Sequence, residues 1–383
     1  MAGQAEPRLI PATIAGAFAF VMVLALLGSI KLPLAKRLEI DEARVGGLLS
    51  ALNLALIPMM LLSGMLNDWL GVKWVLVFGS LATAGGLFAL STARSYSAAL
   101  GELFLVGAGG ACMSTAASVL MPQAFWPENA AASSNFGNVF FGLGALVMPA
   151  LADLLIRRFG FQRTLGVMAL FCLVPAVASA LSPSAVSDKP ASLADLYWPP
   201  VLLCGLVFLL YGPLESSVSA WATTYLTNLG VKERKAAWLL SGFWLTYLLA
   251  RLLAAYCQER GMLPRGSEPW FILALALLSA VTLGQLAGAH DRGTAIWGLL
   301  FTGAVFGPVF PTLVGHLFNQ VPQKALWGTA FGAMFSIGAV GGLALPPVIG
   351  ATARRTGVQK ALLIPMVVAL LLAGAALVLG LMK

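Results

Sequence analysis

The chain has 383 residues, of which 59% are apolar and 10% are charged, with a mean hydropathy of +0.89. Soluble domains carry roughly 45–50% apolar and about 25% charged residues, so this composition excludes an ordinary soluble protein and predicts a chain surrounded by lipid. The net charge of +8 comes from basic residues scattered singly or in pairs, which excludes a nucleic-acid-binding domain. The four cysteines lie in apolar runs without metal-ligand spacing, so neither a disulfide nor a metal site is expected.

Twelve apolar runs follow one another along the chain, each close to the roughly 20 residues that a helix needs to cross the hydrocarbon core. They lie near residues 10–33, 45–65, 74–92, 98–122, 131–156, 164–182, 198–227, 234–256, 269–289, 293–318, 325–350 and 358–382. The first run lacks a small-residue cleavage site, so it is expected to be a membrane helix and not a removed signal peptide. The pattern predicts an all-α polytopic membrane protein with twelve transmembrane helices.

The only long polar stretch, 183–197, divides the chain into predicted six-helix bundles over 1–182 and 198–383. An internal repeat relates the two: segment 157–165 returns as 354–362, with two arginines, a glycine and a glutamine in register. Because the repeat joins equivalent helices in the same order, the bundles are expected to be parallel repeats. Transporters built in this way bind their substrate near the membrane midplane.

Residues 64–73 follow the second run and read Gly-Met-Leu-Asn-Asp-Trp-Leu-Gly-Val-Lys. This stretch resembles the signature loop of the major facilitator superfamily, which latches the cytoplasmic side of those transporters. The resemblance implies gate roles for Gly64, Asp68, Gly71 and Lys73. Trp69 stands where the family usually has arginine, which predicts a weaker latch.

The seventh run carries Glu215 after Tyr211-Gly212-Pro213-Leu214, and Trp221 and Tyr225 follow it. This pattern, with Gly307-Pro308 in the tenth run, resembles the fucose permease and glucose/galactose transporter branch. The resemblance implies a secondary transporter that moves a sugar or similar small polar solute by alternating access. Where fucose permease has its proton-coupling acids this chain has Ser29 and Ser114, so the same coupling route is not expected.

Ionisable side chains inside the runs are the first candidates for binding or coupling, because placing one at the bilayer centre costs roughly 2.5–3.5 kcal/mol. Glu215 shares a helix face with Tyr211 and Ser219 and could carry a proton, accept hydrogen bonds from solute hydroxyls or form a structural ion pair. Lys31 could hold an anionic group, pair with Glu215 or extend to the interface. His316 could titrate near physiological pH or pack through hydrogen bonds.

Arg251 in the eighth run is expected to act at a gate or as a structural residue, with grip on an anion as the alternative. Neutral side chains add candidates for a central cavity, because amides and hydroxyls can bind sugar hydroxyls and aromatic rings can stack on a sugar face. The alternative is that small polar residues only hold helices together. The neutral candidates are Asn53, Ser114, Asn138, Trp221, Tyr225 and Trp244.

Three functions therefore stay open: a sugar transporter, with or without a coupling proton; a transporter of a small organic anion using Lys31 and Arg251; and a non-transporting receptor on a transporter fold. The sequence has no catalytic motif and no phosphate-binding loop, so neither an enzyme nor a cofactor is expected. The expected partners are a small-molecule substrate and the lipid bilayer, and a monomer is the default for such a fold.

The resemblance implies a bacterial inner-membrane protein with both termini in the cytoplasm. Under that orientation seven Lys and Arg residues lie in inner loops and fourteen in outer loops. The positive-inside rule predicts the reverse distribution. A basic outer face would concentrate anionic solutes at the entrance, which favours an acidic substrate.

Overall fold

The computed structural model describes residues 5–183 and 193–382, and every regular element in those residues is helical. The first half contains α1 (Ile10–Ser29), α2 (Lys31–Leu38), α3 (Glu42–Leu70), α4 (Val72–Thr92), α5 (Tyr96–Ala124), α6 (Ala130–Phe171) and α7 (Leu173–Leu181). The second half contains α8 (Trp198–Asn228), α9 (Glu233–Glu259), α10 (Glu268–Gly288), α11 (Arg292–Phe306), α12 (Val309–Gln320), α13 (Trp327–Thr356), α14 (Val358–Ala361) and α15 (Leu363–Leu381). Short 3₁₀ turns lie at Pro7–Leu9, Leu193–Asp195 and Lys324–Leu326.

Eleven helical stretches in the described residues are long and apolar enough to cross a membrane. One of them, Ala130–Leu181, has 52 residues and is interrupted at Gly160, where φ is +78°. Because this stretch is long enough for two crossings, the count agrees with the twelve predicted helices, and the predicted fold class is confirmed. The tenth predicted run is broken between α11 and α12, at Gly307-Pro308.

Several helices begin where a short polar side chain caps the first turn, as the free N–H groups there require. Asp41 accepts a hydrogen bond from the Arg44 N–H at 2.8 Å, and Asp291 accepts one from the Thr294 N–H at 2.9 Å. The hydrogen bond from the Thr294 side chain, with that from its backbone, lowers the pKa of Asp291. These caps fix the loops at the ends of the apolar runs.

The described residues form two compact units. The first unit is drawn from Met1–Glu128, Gly137–Leu196 and Val321–Ala333, and the second from Asn129–Phe136, Tyr197–Gln320 and Met334–Lys383. Each unit thus includes a short segment from the other half of the sequence, at the start of α13 or of α6. The division predicted at 183–197 stays a prediction, and residues 184–192 of that linker lie outside the described residues.

Glycines set the closest helix contacts within each unit. In the first unit a Cβ on Gly79 would lie 2.9 Å from the Gly109 carbonyl oxygen, so α4 and α5 touch through their backbones. In the second unit a Cβ on Gly341 would overlap the Leu209 carbonyl, which brings α13 onto α8. Small residues at such contacts are the usual means by which membrane helices pack.

Candidate functional site

Glu215 lies half-buried in α8, and two tyrosine hydroxyls converge on its Oε2 atom. Tyr247 of α9 donates to Oε2 at 2.7 Å, and Tyr211, one turn before Glu215, lies at 3.0 Å. Both tyrosines are fully buried, with 2% and 0% of their surface exposed. Tyr211 and Glu215 therefore lie on the same face of α8 and are in contact. Tyr247 of α9 is a third residue of this cluster, and the sequence did not predict it.

Arg251 joins this cluster from one turn further along α9. Its Nη2 donates to the Tyr247 hydroxyl at 2.5 Å, and its guanidinium carbon lies 4.3 Å from the centroid of the Tyr247 ring. Tyr247 thus accepts from the guanidinium and donates to the carboxylate, so a single hydroxyl bridges two opposite charges. A guanidinium that is 98% buried needs such partners, because an unpaired buried charge is costly.

The break between α11 and α12 supplies two further acceptors. The helix is interrupted after Phe306, and Pro311, four residues after Gly307, has no N–H, so the Phe306 and Gly307 oxygens lack helical partners. Tyr211 lies 2.8 Å from the Phe306 oxygen, and Arg251 Nε donates to the Gly307 oxygen at 2.8 Å. Because Tyr211 has one hydroxyl proton, it can donate either to Phe306 or to Glu215, but not to both.

Aromatic rings surround the charged cluster. Trp244 is half-buried, and its ring centroid lies 5.2 Å from that of Tyr247 in an edge-to-face arrangement. Phe208 packs against Phe310 at 4.8 Å and against Phe335 at 5.1 Å. The site therefore combines one partly accessible carboxylate, one partly accessible indole and a cluster of three packed phenylalanine rings.

Other predicted residues of the second unit have structural contacts. Tyr225 is buried and donates to the Leu286 carbonyl at 2.8 Å, at the end of α10. Trp221 is half-buried and packs beside Gly350 of α13, where an added Cβ would lie 3.1 Å from its ring. The structure brings Glu215, Arg251 and Trp244 together. The Tyr225 hydroxyl is instead bonded to the carbonyl at the end of α10.

The predicted residues of the first unit lie apart from that cluster in the sequence and belong to a separate compact unit. Lys31 is exposed at the start of α2, beyond the first span of Pro7–Leu27. Ser114 and Asn138 are buried, and Asn138 Nδ2 lies 3.6 Å from Met121 Sδ. Asn53 falls in α3, and its side chain lies outside the described residues. Their roles stay predictions.

Two of the predicted gate residues, both in the signature loop, hold the end of α3 against the start of α13, within the first unit. This contact between a loop and a helix start is called the first joint. Asp68 accepts hydrogen bonds from the N–H groups of Gly328 at 2.9 Å and Thr329 at 2.7 Å, so its carboxylate caps the start of α13. A helix start favours a negative charge at this place. Gly64 allows the close approach, since a Cβ there would overlap the Gly328 carbonyl.

The other two predicted loop residues have different roles in the structure. Gly71 has φ +86° and ends α3, and Lys73 donates to the Ser182 carbonyl at 2.8 Å. Trp69, which replaces the usual arginine, is 78% exposed. The loop is therefore held by backbone caps and by Lys73.

A second joint occurs in the second unit, around the start of α6. Asn129 donates to the Gln258 carbonyl at 2.8 Å, and Asn135 Nδ2 lies 2.9 Å from the Thr312 hydroxyl and 3.0 Å from Gln258 Oε1. His316, a predicted candidate, is buried one turn after Thr312. Nothing in the sequence pattern identified Gln258 or Thr312, but Tyr247 could have been found, since it lies four residues before Arg251.

Comparisons with known proteins agree with this architecture. A family model described as Major Facilitator Superfamily matches residues 12–346. The glucose/galactose transporter of Brucella abortus is 22% identical over 329 residues, covering 80% of this chain and 78% of that protein. Protein TsgA of Shigella flexneri is 24% identical over 327 residues, covering 79% and 78%.

Solved structures share the fold over nearly the whole chain. The Escherichia coli fucose:proton symporter FucP has a TM-score of 0.79 at 17% identity, covering 98% of this chain and 99% of that chain. The human organic anion transporter MFSD10 (TETRAN) has a TM-score of 0.78 at 16% identity, covering 96% and 99%. The Brucella abortus relative and both solved structures are named as transporters or symporters.

Proposed function

This chain belongs to the Major Facilitator Superfamily and is an integral, multi-pass membrane transporter, and we propose that it carries a sugar or a similar small polar solute. The supporting relatives are the Brucella abortus glucose/galactose transporter and the Escherichia coli fucose:proton symporter. Transport proceeds by alternating access, with the solute bound in turn from each side. The protein works as a monomer in a bacterial inner membrane, with both termini in the cytoplasm.

The observation that carries the proposal is the asymmetry of the Glu215 carboxylate. Its Oε2 atom is occupied by Tyr247 and Tyr211, whereas no hydrogen bond from a described residue is recorded at Oε1. A half-buried carboxylate oxygen can accept hydrogen bonds from the hydroxyls of a solute, and such bonds are stronger than neutral ones. The indole of Trp244 lies beside the same tyrosine and offers a surface on which a sugar ring can stack.

Glu215 is also the proposed site of a coupling proton. When the carboxyl becomes protonated, its single proton can be donated to the Tyr211 hydroxyl, while Tyr247 continues to donate to the carboxyl, because a hydroxyl both donates and accepts. Tyr211 can then donate to the Phe306 carbonyl at 2.8 Å without leaving its place. Loss of the negative charge and change of hydrogen-bond direction thus require no rearrangement of the helices.

The second candidate is a small organic anion, which the similarity to the human organic anion transporter and the basic loops favour. Arg251 is a poor anion site in this arrangement, since it is 2% exposed and donates to Tyr247 and Gly307. An anion would instead need Lys31, which is exposed. A receptor without transport would bind solute but exchange none across a membrane.

The test is uptake by the purified chain in liposomes, with neutral sugars, sugar acids and other small anions supplied in parallel. The Glu215→Gln variant is expected to lower the apparent affinity for a transported neutral sugar by about tenfold or more, because a hydrogen bond to a charged group contributes about 1.5–3 kcal/mol. Dependence of uptake on a proton gradient is expected to disappear in the same variant.

Glu233→Gln is the matched control, since Glu233 is exposed at the start of α9, and it is expected to behave like the unmodified protein. Uptake of anions alone would replace the sugar proposal with the second candidate. Unchanged pH dependence in Glu215→Gln would remove Glu215 from proton coupling. Binding without exchange would identify a receptor.

A further inference from the structure

Glu268 and His316 face each other in the interior of the second unit, far along the sequence from Glu215. Glu268 is the first residue of α10 and His316 lies in α12, and the distance between His316 Nδ1 and Glu268 Oε2 is 3.9 Å. Each side chain is only 6% exposed. The distance is too long for a hydrogen bond, and Oε2 has no hydrogen-bond partner among the described residues.

The surroundings favour a charged carboxylate at Glu268. The other carboxylate oxygen accepts a hydrogen bond from Asn319 Nδ2 at 3.2 Å. Glu268 also lies in the first turn of α10, where the helix dipole stabilises negative charge. A buried carboxylate with one unpaired oxygen is nevertheless costly, and a charged imidazole facing that oxygen would remove the cost.

Other charges do not compete for His316. The start of α6 and the rest of α12 contain no charged residue. On the other helices of the second unit and their connecting turns, Glu215 and Arg251 have other hydrogen-bond partners, and apart from Glu268 the remaining charged side chains among the described residues are exposed. Within the described part of the chain, Glu268 is therefore the charged side chain that lies within 4 Å of the His316 ring.

We propose that Glu268 and His316 together bind one proton, and that this proton tightens the packing of segment 129–136 against α12. The proton comes from water, occupies His316 Nδ1 and is directed at Glu268 Oε2. This site goes beyond the proposed function, since it depends neither on the identity of the solute nor on Glu215. It is a binding site for a proton that is built from two helices of one unit.

The link from the pair to segment 129–136 runs through adjacent residues of α12. Gly315 precedes His316, and a Cβ on Gly315 would overlap the backbone of Ala131. Thr312, one turn earlier, lies 2.9 Å from Asn135 Nδ2. A charged imidazole attracts the facing carboxylate, so protonation adds a bond between α10 and α12 that restrains α12. The close-packed contacts that α12 makes with segment 129–136 at Gly315 and Thr312 then open less often.

The first experiment uses the fact that the chain has two histidines. His290→Gln removes the exposed one and leaves a protein whose single labelled imidazole is His316. Its NMR signal, recorded between pH 5 and pH 9 in detergent micelles, is expected to titrate, and Glu268→Gln is expected to shift that titration. An imidazole signal that stays constant, or that titrates identically with Glu268→Gln, would overturn the proposal.

The second experiment measures thermal unfolding and hydrogen exchange at pH 5.5 and pH 8.5. The destabilisation caused by Glu268→Gln is expected to be larger at pH 5.5, where the imidazole is charged and attracts the carboxylate, and to shrink as the pH rises. Protection of segment 129–136, measured as the intrinsic exchange rate at each pH divided by the observed rate, is expected to be greater at the lower pH in the His290→Gln control. His316→Gln should abolish that difference, and a difference retained in His316→Gln would contradict the proposal, whatever solute the protein transports.

Discussion

At the scale of single residues, Tyr247 explains how a carboxylate and a guanidinium coexist inside an apolar unit. A direct ion pair between Glu215 and Arg251 would occupy the carboxylate that we propose as a solute-binding group. With Tyr247 between them, each charge gains a polarised hydrogen bond, at 2.7 Å to Glu215 and 2.5 Å to Arg251. The arrangement positions the Glu215 side chain without a direct ion pair to Arg251.

The Tyr247→Phe variant tests this explanation. It leaves the ring and its packing in place but removes the hydroxyl, so both Glu215 Oε2 and Arg251 Nη2 lose a partner. The free energy of unfolding is expected to fall by about 1–3 kcal/mol, the usual cost of leaving a buried polar group without a partner. The upper end of this range is expected, because the groups that lose a partner are a carboxylate and a guanidinium. Thermal unfolding and uptake in liposomes would both measure it.

Tyr256→Phe is the matched control for that substitution. Tyr256 lies on the same helix but is 55% exposed, and the recorded contact of its ring is with the exposed Arg260. It is expected to unfold and transport like the unmodified chain. A Tyr247→Phe protein that matched this control in stability and uptake would show that the bridging hydroxyl is dispensable.

At the scale of helices, one turn geometry recurs at three connections. Gly71 has φ +86° and ψ 142°, Gly160 has φ +78° and ψ 168°, and Gly357 has φ +88° and ψ 154°. This region of backbone space is open almost only to glycine. Each glycine ends one helix and starts the next, and Gly160 and Gly357 are equivalent positions of the internal repeat.

Substitution of these glycines by alanine isolates the backbone effect. At Gly71, Gly160 and Gly357 an added Cβ meets no atom within 4 Å, so a loss of stability would come from the conformation alone. Each substitution is expected to lower the free energy of unfolding by about 1–3 kcal/mol. Reversible unfolding of the purified variants, followed by circular dichroism, would measure the change.

Gly166→Ala and Gly374→Ala serve as controls because both sites are equally open but lie within helices. These two are expected to be neutral or slightly stabilising, since alanine favours helix more than glycine does. Equal effects at turn and helix positions would mean that the turn conformation is not what requires glycine.

The repeat made two of these turns predictable, because register alone aligned Gly160 with Gly357. The helices themselves followed from apolar run length, which the membrane thickness fixes. The contact between Glu215 and Tyr247 did not follow, because it depends on how α8 packs against α9. The facing of Glu268 and His316 was not predictable for the same reason, since the two residues lie 48 positions apart in the sequence, with the α10–α11 hairpin between them.

At the scale of the whole molecule, two helix starts are packed among residues of the opposite half of the sequence. The start of α13 is capped by Asp68 in the first unit, and the start of α6 is held by Gln258 and Thr312 in the second. The first joint uses a charge at a helix start, and the second uses neutral amides and a hydroxyl. The signature loop predicted the first of these joints only, because the second has no comparable sequence pattern.

The two joints share no residue, so we expect a substitution in one joint to loosen that joint and leave the other unchanged. Asp68→Asn keeps the size of the side chain but removes its charge and leaves one carbonyl oxygen for two N–H donors. Amide hydrogen exchange at 327–333 is expected to speed up by about tenfold, the equivalent of 1.4 kcal/mol, with little change at 129–136. Gln258→Ala is expected to give the opposite pattern, because it removes the amide that contacts Asn135.

Exchange followed by mass spectrometry at several times would resolve both segments in one protein, so each variant serves as the control for the other. Parallel acceleration of both segments in both variants would mean that the two joints open together. Separate responses would instead indicate that a charged joint and a neutral joint open independently. The charged joint should then weaken with added salt more than the neutral one, because screening acts on charge and not on amide hydrogen bonds.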